Sequence, residues 1–343
     1  MLCLQSFLFS LQYTHMGAIT KMYKDNFIQR FDKDEAIPYY SASDFPNLTC
    51  EEKTFNNSLG IEIHYFFYYY ANYKSDKIVV FCPGIGPGHT AYLAEINYLC
   101  KAGYRVLTLD YTGCGASKGE TLLSVNEPTR DVVELLNNLH LNEEIVIVGH
   151  SLGAYTSLNV INLLPEIKRG VIMSGFISLK AELLSFMKLG LLTIGPRNFE
   201  KKVNKKYASI NNWKYLKDTT DKLLFIHSKD DQMVNFKHNT NKVMKIKNPN
   251  LSFKIVEGKK HNPNYSMDAI NNMNTWMGQY FSLIRQGGLK TLEERKNFFL
   301  DKPISKMTEQ DPEIMDLVLD FSDILPPLKE VGASCSRSLV TPA

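Results

Sequence analysis

Apolar positions along the chain follow two rhythms that take turns. From Leu48 to Ala71 they alternate with polar ones and are rich in Ile, Phe and Tyr, which predicts a half-buried antiparallel strand. The aromatic run Phe66-Phe67-Tyr68-Tyr69-Tyr70 fits such a strand better than a binding platform. Nearly continuous apolar runs follow at Lys77 to Cys82, Tyr104 to Asp110, Ile145 to Val148, Gly170 to Ser174 and Leu251 to Val256. A further run opens at Asp221 and ends in the acids Asp230 and Asp231. All read as strands, the ones at Lys77 to Cys82 and from Asp221 as buried ones. Helical spacing fills the intervals: Thr90 to Lys101, Pro128 to His140, Ala154 to Leu164, Phe236 to Lys247 and Tyr265 to Ile284. The second of these starts on Pro128 and carries the stripe Val132, Val133, Leu135, Leu136 and Leu139. Alternation of this kind predicts an α/β protein with a mostly parallel central sheet and helices on both faces. Its chemistry is then expected at the carboxyl ends of the strands.

Two stretches fall outside the alternation. Phe176 to Thr220 is an insertion whose first half, Leu183 to Ile194, is apolar nearly all round, so it is either a buried helix or a cover over a site. Its second half carries Arg197, Lys201, Lys202, Lys205 and Lys206 against the single acid Glu200, which reads first as a solvated face. Beyond Gly287-Gly288, Leu289 to Asp301 and Pro312 to Leu325 predict two amphipathic helices. The expected organisation is an N-terminal segment 1–47, a main α/β domain 48–285 with the insertion 176–220, a helical extension 286–331 and a disordered tail 332–343. The extension is left with packing on the core, or on another subunit of a homo-oligomer, as its function. The first eleven residues look like a signal core, but they lack a basic flank and a clean cleavage site, and Met16 or Met22 could serve as the start.

With 343 residues there is material for one large core and more. Apolar content of 44% and charged content of 22% describe an ordinary globular chain, and a net charge of +3 is too small to gather nucleic acid. The six cysteines (Cys3, Cys50, Cys82, Cys100, Cys114 and Cys335) are scattered, without a Cys-x-x-Cys pair. Buried free thiols are expected, and with them a reducing, cytoplasmic setting. No His-x-x-x-His pair points to a metal, no cofactor is called for, and no apolar run reaches the eighteen residues a membrane span needs.

The sharpest chemical signal lies at Ile145-Val146-Ile147-Val148-Gly149-His150-Ser151-Leu152-Gly153-Ala154. A β-branched run breaks into Gly-x-Ser-x-Gly and then a helix-favouring stretch, the strand–turn–helix setting of a nucleophile elbow. A serine hydroxyl is a poor nucleophile, so the turn must lift it clear of the backbone and present it to a base. Gly149 and Gly153 leave room for that turn. Downstream, His227-Ser228-Lys229-Asp230-Asp231-Gln232-Met233-Val234 supplies carboxylates at one strand end, and Glu257-Gly258-Lys259-Lys260-His261 a histidine at the next. A histidine neutral near pH 7 can take the serine proton and return it to a leaving group, and a carboxylate behind it fixes the tautomer.

These segments, with Cys82-Pro83-Gly84-Ile85-Gly86 and Asp110-Tyr111-Thr112-Gly113-Cys114-Gly115-Ala116-Ser117-Lys118-Gly119, resemble the α/β-hydrolase superfamily. The closer likeness is to its serine esterase and monoglyceride-lipase-like branch, which includes serine aminopeptidases. The resemblance spans about residues 50–285 and implies the α/β-hydrolase fold with a short helical cap at 176–220. It implies Ser151 as nucleophile, His261 as base, and the N–H groups of Ile85 and Leu152 as the oxyanion hole. The acid-loop register puts the carboxylate at Asp231, with Asp230 as its rival. Three departures stand out: Pro83 replaces the usual His of the oxyanion loop, Ser228 replaces Gly in the acid loop, and Lys260 replaces the Gly before the base.

The expected activity is hydrolysis of a small-molecule carboxylic ester of modest acyl or aryl size through an acyl-enzyme. Thioesterase and aminopeptidase chemistry use the same machinery, and a non-catalytic binding member of the fold is the rival from another class. If Leu183 to Ile194 covers the site, Phe186 and Leu191 are expected in the acyl pocket. Otherwise the substrate contacts are sought at His89 and Tyr92.

Overall fold

The computed structural model describes residues 17–73, 76–187 and 190–322, with the side chains of Phe186 and Met187 outside that description. Eight strands form one sheet: β1 (Thr49–Asn56), β2 (Glu62–Tyr69), β3 (Lys77–Cys82), β4 (Arg105–Leu109), β5 (Glu144–His150), β6 (Arg169–Met173), β7 (Lys222–Ser228) and β8 (Leu251–Val256). Their order is β1-β2-β4-β3-β5-β6-β7-β8. Antiparallel pairing is confined to β1·β2 and β2·β4, and every other neighbour is parallel. The single strand expected over Leu48 to Ala71 is therefore a hairpin. Asn57 Oδ1 accepts from the amides of Leu59 and Ile61, and Gly60 takes a positive φ, so the chain reverses in mid-pattern without breaking it.

Eleven residues at 17–27 form a first helix, α1. Helices α2 (Leu93–Lys101), α3 (Glu127–Leu139) and α4 (Leu152–Leu163) follow, and the insertion after β6 holds α5 (Leu179–Met187), α6 (Ile194–Val203), α7 (Lys205–Ala208) and α8 (Asn212–Asp218). The remaining helices are α9 (Thr240–Val243), α10 (Met267–Arg285), α11 (Leu292–Phe298), α12 (Ile304–Met307) and α13 (Pro312–Phe321). Phe236 to Lys247 is helical only over the four residues of α9. Asn239 bonds Ile177 and Asn235 through its side chain, a local alternative that competes with a longer helix.

Side chains alternate across the sheet and split the core in two. On one face Ile78, Val80, Ile147 and Phe225 pack with Val132 of α3 and Leu158 of α4. On the other, Val79, Phe81, Val148 and Leu224 pack with Ile96 of α2 and with Ile314, Val318 and Leu319 of α13. The second result puts α13, which lies beyond residue 285, on the sheet. Helix α10 instead shares a separate small cluster, in which Tyr280 meets Phe299 and Met307. Part of the supposed extension is thus core, because α13 offers an apolar stripe that the sheet face needs covered. The expected tail 332–343 lies outside the described residues. No helix among the described residues is long and apolar enough to cross a membrane.

Candidate active site

Strand β5 delivers Ser151 to the end of the sheet. The residue is held at φ 57°, ψ −120°, a left-handed conformation that a side chain adopts only under constraint, between strand β5 and helix α4. The neighbourhood over-determines it. Ser151 N donates to Met173 O at 2.9 Å, and a Cβ on Gly149 or Gly153 would run into backbone, at Gly153 and at Cys82 respectively. Close packing of the helix start on the end of β3 leaves glycine as the residue that fits.

Strands β7 and β8 bring the other two groups together. His261 Nδ1 lies 2.9 Å from Asp231 Oδ2. Oδ1 of the same carboxylate accepts from the amides of Met233 (2.8 Å) and Val234 (3.0 Å). A second ring, His227, approaches Oδ2 at 3.2 Å and also the Val234 carbonyl at 2.9 Å, both through Nε2. Two acceptors at one ring nitrogen make it a donor, which fixes the His227 tautomer. Burial alone would raise the Asp231 carboxyl, but the donors from His227 and His261 outweigh it and hold the group well below the usual carboxylate range. Asp231 thus stays ionised behind His261. Among the described residues the Ser151 hydroxyl makes no hydrogen bond.

Asp230, the rival acid, points elsewhere. It accepts from the Ser228 hydroxyl and, at 3.0 Å and 3.4 Å, from the amides of Gly258 and Lys260. Its work is to hold the turn that carries His261. That turn also explains two departures from pattern. Ser228 supplies a donor to Asp230 where glycine could not, and Lys260 takes φ 51° at the place where glycine is usual.

His150, inside the elbow, was not singled out from sequence. Its Nε2 is 2.8 Å from the His261 carbonyl and its Nδ1 3.0 Å from Tyr92 Oη. Burial, reinforced by the neighbouring His261, pushes its pKa down to about 3, so the ring is neutral and ties the base loop to the segment after the oxyanion loop. The signal was its position between Gly149 and Ser151, where the chain has least freedom.

Ile85 and Leu152 line, with Ser151, one cavity of about 300 Å³. Leu152 opens α4, where an amide has no partner within its own helix. The loop before Ile85 is braced without the missing histidine. Tyr111 Oη donates to Pro83 O at 3.0 Å, and Asp110 accepts from both the amide and the Nδ1 of His89 at 2.8 Å. His89 is therefore a structural part of this loop: it is 5% exposed, stacked on Phe66, with Tyr68 at its other nitrogen. The expectation of a substrate contact at His89 is corrected accordingly.

The cavity walls were only partly foreseen. Leu183 lines it as the insertion reading required, together with Leu179 and Phe176. Leu191 does not: it sits on a short 3-10 turn, Gly190–Thr193, and is 64% exposed. The side chain of Phe186 lies outside the described residues. Tyr23 and Phe27 of α1 also line the cavity, which nothing in the local pattern announced. Helix α1 is tied down by Glu200, the lone acid of the basic stretch. Glu200 is 1% exposed and accepts from Tyr23 Oη (2.7 Å), Asn126 Nδ2 (2.7 Å) and the Ser124 hydroxyl. Among the described residues one carboxyl group lines this cavity, that of Glu182 of α5, hydrogen-bonded to Asn239 at 3.3 Å. Burial pushes its pKa up to about 8.

Comparison with known proteins agrees with this fold. The family described as serine aminopeptidase, S33, matches residues 73–214. A proline iminopeptidase of Saccharolobus solfataricus is 26% identical over 166 residues, 48% of this chain and 52% of that protein. A bifunctional epoxide hydrolase 2 of Sus scrofa is 24% identical over 164 residues, 46% of this chain and 28% of that protein. The match thus spans less than two thirds of the length of either relative. Among solved structures, an esterase of Pyrococcus furiosus superposes with a TM-score of 0.53 at 18% identity, covering 75% of this chain and 97% of that one.

Proposed function

We propose that this chain, which has the α/β-hydrolase fold and matches the serine aminopeptidase S33 family over residues 73–214, is a serine hydrolase acting on carboxylic esters with an apolar acyl or aryl group. The observation that carries the reading is Ser151, held in a left-handed turn at the end of an apolar cavity that Ile85 and Leu152 also line. In this reading His261 removes the Ser151 proton as Oγ attacks the ester carbonyl, and Asp231 holds the ring and stabilises the imidazolium. The Ile85 and Leu152 amides stabilise the oxyanion. Collapse expels the alcohol, protonated by His261, and leaves an acyl-enzyme. Water activated by the same ring then releases the acid. Walls of Phe27, Phe176, Leu179 and Leu183 suit an acyl chain, since each buried methylene contributes about 0.8 kcal/mol. A cytoplasmic setting goes with this reading, supported by the free thiols of Cys82, Cys100 and Cys114.

Cleavage of an aminoacyl amide is the second reading, and Glu182 favours it as a group that could hold a substrate ammonium. Against it, a carboxyl with a pKa of about 8 is largely uncharged at neutral pH. The test is a fluorophosphonate probe followed by a panel of esters, thioesters and aminoacyl amides. Covalent labelling of wild type but not of Ser151→Ala, with p-nitrophenyl esters turned over fastest, is the expected result. An unlabelled wild-type protein would sink the reading, and preference for aminoacyl amides would favour the second one.

A further inference from the structure

The loop that carries His261 is gripped from two sides. On the core side Asp230 and His150 hold it, as described above. On the other side it meets residues 309–311, at the entrance to α13. Lys259 is 7% exposed, and its Nζ donates to Asp311 Oδ2 at 2.7 Å and to the Tyr265 carbonyl. Asp311 N donates to Asn264 O at 2.7 Å, and Ser266 N to Glu309 O at 2.8 Å. Asn264, itself 2% exposed, bridges Gln310 (2.8 Å) and Glu95 of α2 (3.0 Å). Tyr265 and Gln310 pair as an isolated antiparallel bridge. Asp311 does two things at once, because its Oδ1 also caps α13 through the Glu313 amide at 2.9 Å.

We propose that Asp311 and Lys259 are positioning residues: they transmit the fixed placement of α13 on the sheet to the loop that presents the candidate base His261. The physical argument is one of anchoring. Helix α13 is seated by Ile314, Val318 and Leu319 in the second core, so its N-terminus is a rigid point. Among the described residues the His261 loop has no pairing after β8 except the single bridge from Tyr265 to Gln310. A charge-assisted bond from a buried lysine two residues before the proposed base is short and directional, and it ties the outer side of the loop to that helix. Small displacements of a base cost large factors in rate, so a chain segment some fifty residues downstream sets the geometry of the chemistry.

This inference rests on His261 being the base of the proposed hydrolase, and the experiment separates the two. Asp311→Asn keeps an oxygen to cap α13 and removes the charge facing Lys259. In this variant kcat for a short ester and the rate of fluorophosphonate labelling should both fall about tenfold or more, while KM stays within about twofold. Asp311→Glu should recover most of the loss. Lys259→Met should cost a similar factor, and the double variant no more than either single one, because the two side chains act as one unit. Amide exchange over 258–266 should speed up in Asp311→Asn with that of α13 unchanged. Wild-type labelling and turnover in both single variants would overturn the inference, as would losses that add in the double variant. A wild-type protein that the probe does not label defeats the hydrolase reading instead, and the exchange measurement then decides the clamp by itself.

Discussion

Ser151, Asp231 and His261 stand just beyond the ends of β5, β7 and β8, each within a few residues of a hydrogen-bonded strand. The walls of the adjoining cavity come from α1, α5 and residues 232–234, segments far apart in sequence and mostly outside the sheet. The first region is built from short turns whose shape the local residues dictate. The second is built by packing, and its members touch only because the rest of the fold places them together. Substitutions should accordingly divide into those that stop the chemistry for any substrate and those that change which substrate is accepted.

The largest effect should come from Ser151→Ala, which deletes the proposed nucleophile with little change in packing. Ester hydrolysis should fall by at least about a thousandfold for every chain length, leaving the background of the oxyanion hole. Retained turnover above that level would move the chemistry away from the elbow.

Asp231→Asn should follow, losing about 10³–10⁴ in kcat because an amide favours the wrong imidazole tautomer. Asp230→Asn should cost only about tenfold, through loosening of the Gly258–Lys260 turn. Kinetics of the two variants on one short ester would read the ranking, and a reversed order would make Asp230 the acid.

The wall is tested by Phe27→Ala and Leu183→Ser. Both should raise KM for octanoate-length esters by about ten- to a hundredfold and leave acetate esters nearly untouched. Leu191→Ser should do neither, since that side chain faces outward. Equal damage at all chain lengths, with a lower melting temperature, would turn the wall into mere scaffold.

The smallest effect concerns pH. The Glu182 carboxyl is raised from 4.5 to about 8, so its contribution to stability is complete below about 4.5 and fades as pH climbs toward and through 8. Replacement by Gln should remove that slope and leave the variant more stable than wild type at pH 9, by on the order of 1–2 kcal/mol in urea melts. Parallel stability–pH curves for the two proteins would show that Glu182 ionises freely in the folded state.

Much of the first region was legible in the chain. The β-branched run before Gly149, the spacing of Gly149, Ser151 and Gly153, and the register of His227 to Val234 are local constraints, and local constraints are written in consecutive residues. Register pointed to Asp231 over Asp230, and the geometry places Asp231 on His261. The reading stopped where partners are distant. Glu200 looked like one acid in a basic surface because its four donors come from α1 and residues 124–126. His89 looked available beside the oxyanion loop because Asp110 and Tyr68, which occupy it, sit on other elements.

By itself, the sequence determined the alternation of strands and helices, the elbow, and the order of serine, acid and histidine, because periodicity and tight turns are properties of neighbouring residues. Only the tertiary structure decided that α13 and not α10 covers the sheet, that Asp311 reaches the His261 loop, and that Tyr23 and Phe27 close the cavity. An apolar stripe announces that a helix must be buried, but not against what. That choice belongs to the shape left uncovered once the sheet has formed.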